Sequence, residues 1–500
     1  AKWWNDAFNA AGYKNAFIVK VLPDDADPMD IRYNVIQWVH RATRGWSYGS
    51  SVIDPRTGEI IKGHVTLGSL RVRQDILIAE ALAAPYFKGN EVAKRLQAMA
   101  LDRIRQLSAH EVGHTLGISH NFAASVADRA SVMDYPHPLL SFNEQGKLDV
   151  SRGYAAGMGV WDTQVVKYGY SDFTNQDEAQ QLAAILAENK SKGLEFISDS
   201  DARAQGGAHP TGHLWDNGSS PSDELMRVLD VRKQALTSFG IENIKTGTAL
   251  SQLEEMLVPL YLFHRYQVEA AVKLIAGVNY EYEVRDGSQP KGAQVVAKQT
   301  QQAAADAVLA TLKAESLVLP ESVLALIPPK AYGESKSRES IVGRTGLTLD
   351  AMALPEVAAA HSLSLLFNSQ RINRLAQQQA RSDAFYGLDA LLAQTYQQVF
   401  EQKIASGMAG KISQRVQLLT AKQFADLVAS NEVAPEVQAQ LRYYLAKLAK
   451  SYQQESMLGS ASVGNSAFKQ YLSEQISYFL ESGEWPTNFK VLPMPPGSPI

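Results

Sequence analysis

The 500-residue sequence contains no cysteine. Disulfide bridges and thiolate metal sites are therefore excluded, and His, Asp, Glu and Tyr are left as the strong metal ligands available. This absence does not fix the cellular compartment, because a cysteine-free chain is suited to oxidising and reducing surroundings alike.

The chain also lacks a long apolar run, a strong net charge and a recognisable leader. No uninterrupted apolar stretch of about 18 residues is present, so no transmembrane helix is predicted. The net charge of −4, without a long run of Lys or Arg, argues against a surface for nucleic acid or anionic membrane. The opening AKWWNDAFNAAG has no basic segment followed by an apolar one, so we expect a mature or trimmed piece.

One short segment, HEVGHTLGISH, spaces three histidines and a glutamate in a way that suits a single zinc ion. His110 and His114 are four residues apart and so share one face of a helix. Gly117 can adopt positive φ where the helix ends, which lets His120 return as the third ligand. Three histidines leave the fourth position open for water, whose proton Glu111 can take.

The shorter HExxH pattern also occurs in ordinary helices that bind no metal. The five fixed residues of the longer pattern would match by chance only on the order of 10⁻⁴ times in a chain of this length. The segment resembles the HExxHxxGxxH signature of the metzincin metalloproteases. This resemblance implies that His110, His114 and His120 bind Zn²⁺ and that Glu111 is the general base.

A second segment, SVMDY, follows His120 by a short loop and resembles the Ser-x-Met-x-Tyr turn of astacin-like and serralysin-like metzincins. The resemblance implies that Met133 forms a hydrophobic floor beneath the metal and that Tyr135 reaches the zinc or the reacting oxygen. Without the preceding segment, a buried methionine and a tyrosine in a tight turn would be the simpler interpretation.

More narrowly, three segments are similar to a bacterial zinc-dependent metalloprotease family with a helical C-terminal domain: HEVGHTLGISHNF, RASVMDYPHP and LVPLYLFHRYQVEAAVKLIAG. The similarity extends over most of the chain. Precursors in that family carry a signal peptide and further N-terminal domains, which implies a periplasmic or secreted protein. The resemblance leaves the natural substrate open.

At 45% hydrophobic content, a chain of this length can bury two or three domains. By resemblance, we expect an α+β metzincin-like catalytic domain at residues 1–172, with a twisted mixed sheet and the active-site helix. A connecting segment at 173–230 follows, which could fold over the cleft. A large, mainly α-helical domain is predicted at 231–500, with breaks at Pro320, Pro328-Pro329, Pro355 and Pro435.

Local patterns predict individual elements of the N-terminal part. Residues 17–22 are expected to form a strand, and the spacing of Ile31, Val35, Trp38 and Val39 predicts a helix capped by Asp30. The turn at residues 54–59 predicts a hairpin whose second strand covers 60–70. By resemblance to metzincins, this hairpin could add a substrate strand to the sheet; an ordinary edge strand is the alternative.

Four further helices are predicted. An apolar stripe from Asn90, the expected N-cap, runs into His110. Residues 160–170 form a short helix, and 179–190 a charged one. Residues 253–275 are predicted to form one long helix that is opened by a capping box at Ser251, and Pro259 is the position at which it could kink.

The remaining histidines have structural interpretations beside the metal one. His64 is expected at the surface of a strand, and His264 in the apolar stripe of its helix. His137 lies between two prolines and could line the cleft or bind a second ion. His209 and His213 lie in a Gly-rich loop without helical spacing, so whether they bind a second metal is left open.

These observations predict zinc-dependent hydrolysis of peptide bonds, with a peptide or protein as substrate and neither nucleic acid nor a membrane span. Tyr135 would support the developing oxyanion. Two alternatives remain: a zinc-binding module that recognises a partner without turnover, and a hydrolase of a non-peptide amide or ester. The sequence leaves cleavage specificity, endo- or exopeptidase action and oligomeric state undetermined.

Overall fold

A computed structural model describes residues 1–40, 47–69, 78, 80–82, 90–144, 148–285, 289–457 and 462–497. These residues form a mixed α/β structure in which about half of the chain is helical. In the part of the chain that the structure describes, none of the helices has the length and hydropathy needed to cross a membrane.

The chain begins with helix α1 (Trp4–Ala10) and a three-stranded sheet of β1 (Val35–Val39), β2 (Tyr48–Ile53) and β3 (Ile60–Gly68). The strand order is β1-β3-β2, with β1 parallel and β2 antiparallel to β3. The sheet is therefore mixed, and the hairpin predicted around residues 54–59 is confirmed. Its turn closes with the N–H of Asp54 donating to the carbonyl of Glu59 at 2.9 Å.

Two predictions for this region are wrong. The predicted helix over residues 31–39 is instead the strand β1, whose register pairs Val35 with His64 and Val39 with Gly68. The predicted strand at residues 17–22 is irregular, and Val21 is 94% exposed. Pairing with β3 stabilises the β-branched residues of β1, whereas residues 17–22 pair with no described strand.

Helix α2 (Asn90–Thr115) carries the first two histidines of the motif and confirms the predicted helix. Leu96, Met99 and Leu107 of its apolar stripe are buried. The prediction that Asn90 caps this helix stays a prediction, because its side chain is not among those that the structure describes. The helix ends two residues before Gly117, which has φ +80° as its predicted role requires.

Short strands and helices continue the chain to residue 310. They are β4 (Ser141–Phe142), β5 (Leu148–Asp149), α3 (Val160–Tyr170), α4 (Glu178–Ser191), α5 (Asp199–Ala202), α6 (Pro221–Thr237), α7 (Leu253–Tyr261), α8 (Arg265–Val272), β6 (Val278–Asn279), β7 (Gln294–Val295) and α9 (Lys298–Ala310). The helices predicted at 160–170 and 179–190 correspond to α3 and α4. Strand pairs β4–β5 and β6–β7 are antiparallel hairpins.

The single long helix predicted over residues 253–275 is wrong. The chain forms α7 and α8 with a break at residues 262–264, where Phe263 and Arg265 donate to the carbonyls three residues earlier. Pro259 lies inside α7 and removes only the bond that its N–H would give to the carbonyl of Glu255, and the helix continues past it to Tyr261. The capping box is also wrong: Ser251 lies in a 3₁₀ turn and donates its hydroxyl to Glu334 at 2.7 Å.

The rest of the described chain is helical. Its elements are α10 (Ala314–Leu317), α11 (Glu321–Leu324), α12 (Ala353–Leu366), α13 (Ser369–Arg381), α14 (Leu388–Val399), α15 (Gly407–Val428), α16 (Pro435–Met457) and α17 (Val463–Ser482). Pro320 and Pro328-Pro329 lie between helices, as predicted. Pro355 and Pro435 instead lie in the first turns of α12 and α16, where a missing N–H costs nothing.

Two hydrophobic cores support the N-terminal part. The smaller one joins Trp4, Val65, Val112, Met133 and Trp161, and so packs α1, the sheet, α2 and α3 together. The larger one extends from Leu96 and Met99 on α2 to Phe479 on α17. Because the larger core has members on both sides of residue 172, the packing is continuous there, and the proposed division into domains stays a prediction.

Candidate metal centre

The three histidines of the motif converge at the end of α2. His110 and His114 lie on its last two turns, and His120 follows after the chain has turned at Gly117. That turn is closed by two backbone hydrogen bonds, from Gly117 to the carbonyl of His114 at 3.0 Å and from Ile118 to the carbonyl of Gly113 at 3.1 Å. The helix end therefore brings the third imidazole back towards the first two.

Each of the three imidazoles is oriented by an acceptor at its Nδ1 atom. His110 bonds to the carbonyl of Val132 at 2.8 Å, and His114 to the carbonyl of Ile118 at 2.9 Å. His120 bonds to the carboxylate of Asp199 at 2.8 Å. Carbonyl and carboxylate oxygens can only accept, so each Nδ1 carries the proton and each Nε2 presents a lone pair.

The three Nε2 atoms face one another at distances that fit a metal. His114 Nε2 lies 3.1 Å from His110 Nε2 and 3.2 Å from His120 Nε2. Tetrahedral zinc with Zn–N bonds of about 2.05 Å requires neighbouring nitrogens about 3.3 Å apart. Three lone pairs held this close repel one another unless a cation lies between them, so the donor set fits a zinc ion.

The protonation state of the ligands agrees with this fit. Burial, followed by the neighbouring His114 and His120, holds the pKa of His110 well below its ordinary value. Burial also lowers the pKa of His114 and of His120, although in His120 the hydrogen bond to Asp199 opposes it. All three imidazoles are therefore neutral at neutral pH, which is the form that binds metals.

Glu111 lies beside the triad and is almost completely buried. Burial raises the pKa of its carboxyl group to about 7, against the opposing effects of Arg103 and of a hydrogen bond from the backbone N–H of Gly49. Gly49 belongs to β2, and a side chain there would overlap the backbone carbonyl of Glu111. The lack of a Cβ at Gly49 therefore lets the strand approach the helix at the glutamate.

The turn at residues 131–135 lies directly under the metal-binding end of α2. Met133 is fully buried, and its sulfur occupies the space that a Cβ on Gly113 would fill. The indole of Trp4 packs at the same place and donates to the carbonyl of Ala109 at 2.8 Å. The methionine therefore forms an apolar floor below this end of the helix.

Two buried polar side chains fix this turn, and the sequence did not point to either. Asp162, at the start of α3, accepts from the hydroxyl of Ser131 at 2.6 Å and from the N–H of Val132 at 2.9 Å. Gln106, one turn before His110, donates to the carbonyl of Val132 at 2.8 Å. This is the same carbonyl that accepts from His110, so the turn and the ligand are held together.

Tyr135 places its phenol against the triad. Its ring centroid is 5.3 Å from that of His110 and 4.9 Å from that of His120, and the residue is 5% exposed. Trp215 packs on the other side at 5.2 Å, and its backbone N–H donates to the carbonyl of Tyr135. Burial raises the pKa of the phenol, which therefore keeps its proton at neutral pH.

Two further residues complete the site and were missed by the sequence analysis. Asp199 and Arg203 lie at the two ends of α5, and Arg203 donates through Nε to the Asp199 carboxylate. Arg203 also donates through Nη2 to the hydroxyl of Tyr135 at 3.3 Å. His120 and Tyr135 are thus linked through an aspartate and an arginine that follow them by more than 60 residues.

The other histidines do not join the triad. Among the described residues, the three motif histidines are the only group of three or more possible ligands whose donor atoms converge. His209 bonds through Nε2 to the carbonyl of Tyr280 at 2.8 Å, and His137 packs against Phe263. His213 is buried, as is His264, for which a core position was predicted. His64 is partly exposed on β3.

A sequence model of the family described as Met-zincin matches residues 93–407, which is more than half of the chain. The matched range includes the histidine triad, the turn at 131–135 and α5. No curated protein and no solved structure matches the chain.

Proposed function

Because this chain belongs to the Met-zincin family, we propose that it hydrolyses peptide bonds with a zinc ion held by His110, His114 and His120. The family supports an enzyme of the metalloprotease type with a metal, typically zinc. The observation that carries the proposal is the convergence of the three Nε2 atoms: that of His114 lies 3.1 Å from that of His110 and 3.2 Å from that of His120. Each ring is also fixed by a hydrogen bond at Nδ1.

His110, His114 and His120 would hold the zinc ion through their Nε2 atoms. The bound ion would supply Lewis acidity for acidifying a water molecule and for polarising the carbonyl group of the scissile bond. Glu111 acts as general base, taking the proton of the attacking water and then passing it to the leaving amine. Its burial keeps competing water away from this proton transfer.

Tyr135 acts on the carbonyl oxygen. Its phenol stays protonated and lies beside two of the three ligands, so its hydroxyl can donate to the oxygen as the carbonyl becomes tetrahedral. A donor directed at developing charge is worth about 10²–10³-fold in turnover in comparable sites.

Strand β2 supports a peptide substrate. It is bonded to β3 on one side, and the N–H of Gly49 is directed to the Glu111 carboxylate instead of to a strand. Residues two apart on a strand direct their backbone N–H and C=O groups to the same side. Ser51 therefore directs these groups to the same edge of β2 as Gly49, the edge that faces away from β3. An extended peptide that pairs with this edge would pass alongside Glu111, as β-strand addition requires.

The test combines metal analysis with turnover. The wild-type protein should bind one zinc per chain and cleave members of a library of peptides and denatured proteins, and a chelator should abolish this cleavage. Glu111→Gln should keep the zinc and lose at least about 100-fold in kcat, because general base catalysis contributes about 10²–10⁴-fold. Glu178→Gln, at an exposed position in the first turn of α4, is the control and should behave as wild type.

Each alternative has its own outcome in this experiment. Bound zinc with no turnover of any substrate would favour a partner-recognition module. Hydrolysis of esters or non-peptide amides alone would change the substrate class and leave the zinc chemistry intact. Wild-type activity in a folded Glu111→Gln protein would exclude this residue as the base.

A further inference from the structure

We propose that Arg203 is a positioning residue, which holds the phenol of Tyr135 so that its proton is free for the carbonyl oxygen of the substrate. The inference rests on the proposed peptidase function and adds a residue to its machinery. Arg203 lies outside both sequence segments that suggested the site, and its role follows from its contacts alone.

The first step is the direction of the hydrogen bond between the two side chains. Arg203 Nη2 lies 3.3 Å from the hydroxyl oxygen of Tyr135. A guanidinium group can only donate, so the phenol oxygen is the acceptor and cannot give its own proton to Arg203. Among the described residues, no protein atom accepts that proton. The proton is therefore available to whatever group lies beside the histidines.

The second step is the placement of the guanidinium over the aromatic rings. The central carbon of Arg203 is 5.3 Å from the ring centroid of Tyr135 and 5.4 Å from that of Phe122. Both distances are within the range of a cation–π contact. A single hydrogen bond to the hydroxyl would leave the ring of Tyr135 free to rotate. Arg203 contacts both groups and so restrains the ring as well as the hydroxyl.

The third step is that Arg203 is itself held firmly. Its Nε donates to Asp199, whose other oxygen bonds to His120. Asp201 of the same helix accepts from the hydroxyls of Tyr280 and Tyr282. These contacts attach α5 to His120 and to the segment that follows β6. The guanidinium group therefore has a defined position relative to the three histidines.

The fourth step separates this role from metal binding. Asp199 keeps its bond to His120 when the Arg203 side chain is removed, because the two contacts use different carboxylate oxygens. Ser198 also bonds to the oxygen that faces His120, at 3.3 Å. Loss of Arg203 should therefore alter the phenol much more than the zinc.

The experiment is a double-mutant cycle with Arg203→Met, Tyr135→Phe and the combined variant in the full-length zinc protein. Arg203→Met should lower kcat by about 10-fold with KM changed less than about twofold, since the lost interaction acts through a transition-state donor. In the Tyr135→Phe background, the same substitution should have almost no further effect. Arg203→Lys retains a cationic donor and should recover part of the loss.

Two measurements that do not depend on activity accompany the cycle. Zinc affinity, determined by competition with a chelator, should change less than about threefold in Arg203→Met. The decrease in Tm caused by Arg203→Met should be smaller in the Tyr135→Phe background, because the hydroxyl contact is already absent there. Arg105→Met, which breaks the exposed Asp102–Arg105 pair on α2, is the matched control and should change neither kcat nor zinc affinity.

The outcomes distinguish the two proposals. An active wild type in which the two substitutions reduce kcat independently would overturn the role of Arg203 alone. Unchanged kcat in Arg203→Met, or loss of zinc from that variant, would do the same. A wild-type protein that binds zinc and cleaves nothing would overturn the proposed function and, with it, the part of Arg203 in turnover.

Discussion

Replacing Asp199 by Ala should weaken zinc binding by about 10-fold, although the residue touches no metal. Asp199 holds the Nδ1 atom of His120 at 2.8 Å and so keeps the third imidazole turned towards the other two. Loss of such a carboxylate partner typically reduces metal affinity 10- to 100-fold, or about 1.4–2.7 kcal/mol. We expect the lower value, because the Asp199 side chain is 40% exposed and water can replace part of the bond.

Asp199→Asn should weaken zinc binding less than Asp199→Ala, but it should not behave as wild type. The carboxylate accepts from His120 through one oxygen and from Arg203 through the other. An amide has one acceptor oxygen, so its NH₂ group must face one of these two donors. The conservative substitution therefore breaks one of the two bonds whichever way the amide is turned.

Chelator competition at fixed pH and ionic strength measures this effect as a zinc dissociation constant. Asp102→Ala is the control, since Asp102 also pairs with an arginine but has no contact with a histidine ligand. Circular dichroism establishes that each variant is folded before its affinity is compared. A dissociation constant for Asp199→Ala within twofold of wild type would refute the idea that this carboxylate orients His120.

Three further results are expected. Gly113→Ala should lower the free energy of unfolding by about 1–3 kcal/mol, because its methyl group overlaps the sulfur of Met133; denaturant unfolding at wild-type stability would contradict this. Asp162→Ala should cost at least about 3 kcal/mol by the same measurement, because it leaves the buried Ser131 hydroxyl and Val132 N–H without their acceptor. On acidification, zinc should be retained down to at least the ordinary histidine pKa of about 6.5, since burial lowers the pKa of all three ligands and they protonate only below it; a release midpoint above pH 6.5 would be inconsistent.

The convergence of the three motif histidines was predictable because their geometry is local. His110 and His114 lie on one face of a helix by spacing alone, and Gly117 has the positive φ that its position in the motif suggested. The buried position of Met133 was predicted from a second short segment, SVMDY. In each case the residues that define the structure lie within a few positions of one another, so the sequence pattern carries the information.

The residues that orient the ligands were not predictable in this way. Asp199 follows His120 by 79 positions and lies on a helix of four residues, too short to show an apolar period. Asp162 bonds to the distant Ser131 and Val132, and Arg203 bonds to the distant Tyr135 as well as to Asp199 of its own helix. Only tertiary packing brings such groups to the site, and a single sequence contains no record of that packing.

The wrong prediction of a helix at β1 has a different cause. Ile31, Val35, Trp38 and Val39 follow helical steps of three and four, but a strand of five residues is too short for either period to be decisive. Pairing with β3 decides the conformation, and β3 lies more than 20 residues further along the chain. The β-branched residues at 35, 36 and 39 favour a strand, whereas the spacing alone favours a helix.

The arrangement around α5 bears on where the functional unit ends. The triad and the turn at 131–135 lie before the boundary predicted at 172, but the carboxylate that orients His120 lies at residue 199. Helix α5 is in turn fixed by Tyr280 and Tyr282, and by the buried Lys273, whose ammonium group donates to the carbonyls of Ala202 and Gly212. Since a metal site depends on the orientation of its ligands as well as on their identity, the unit that we propose to bind zinc would extend at least to residue 282. Lys273, at the end of helix α8, follows the motif histidines by more than 100 positions and still supports the candidate metal centre through α5.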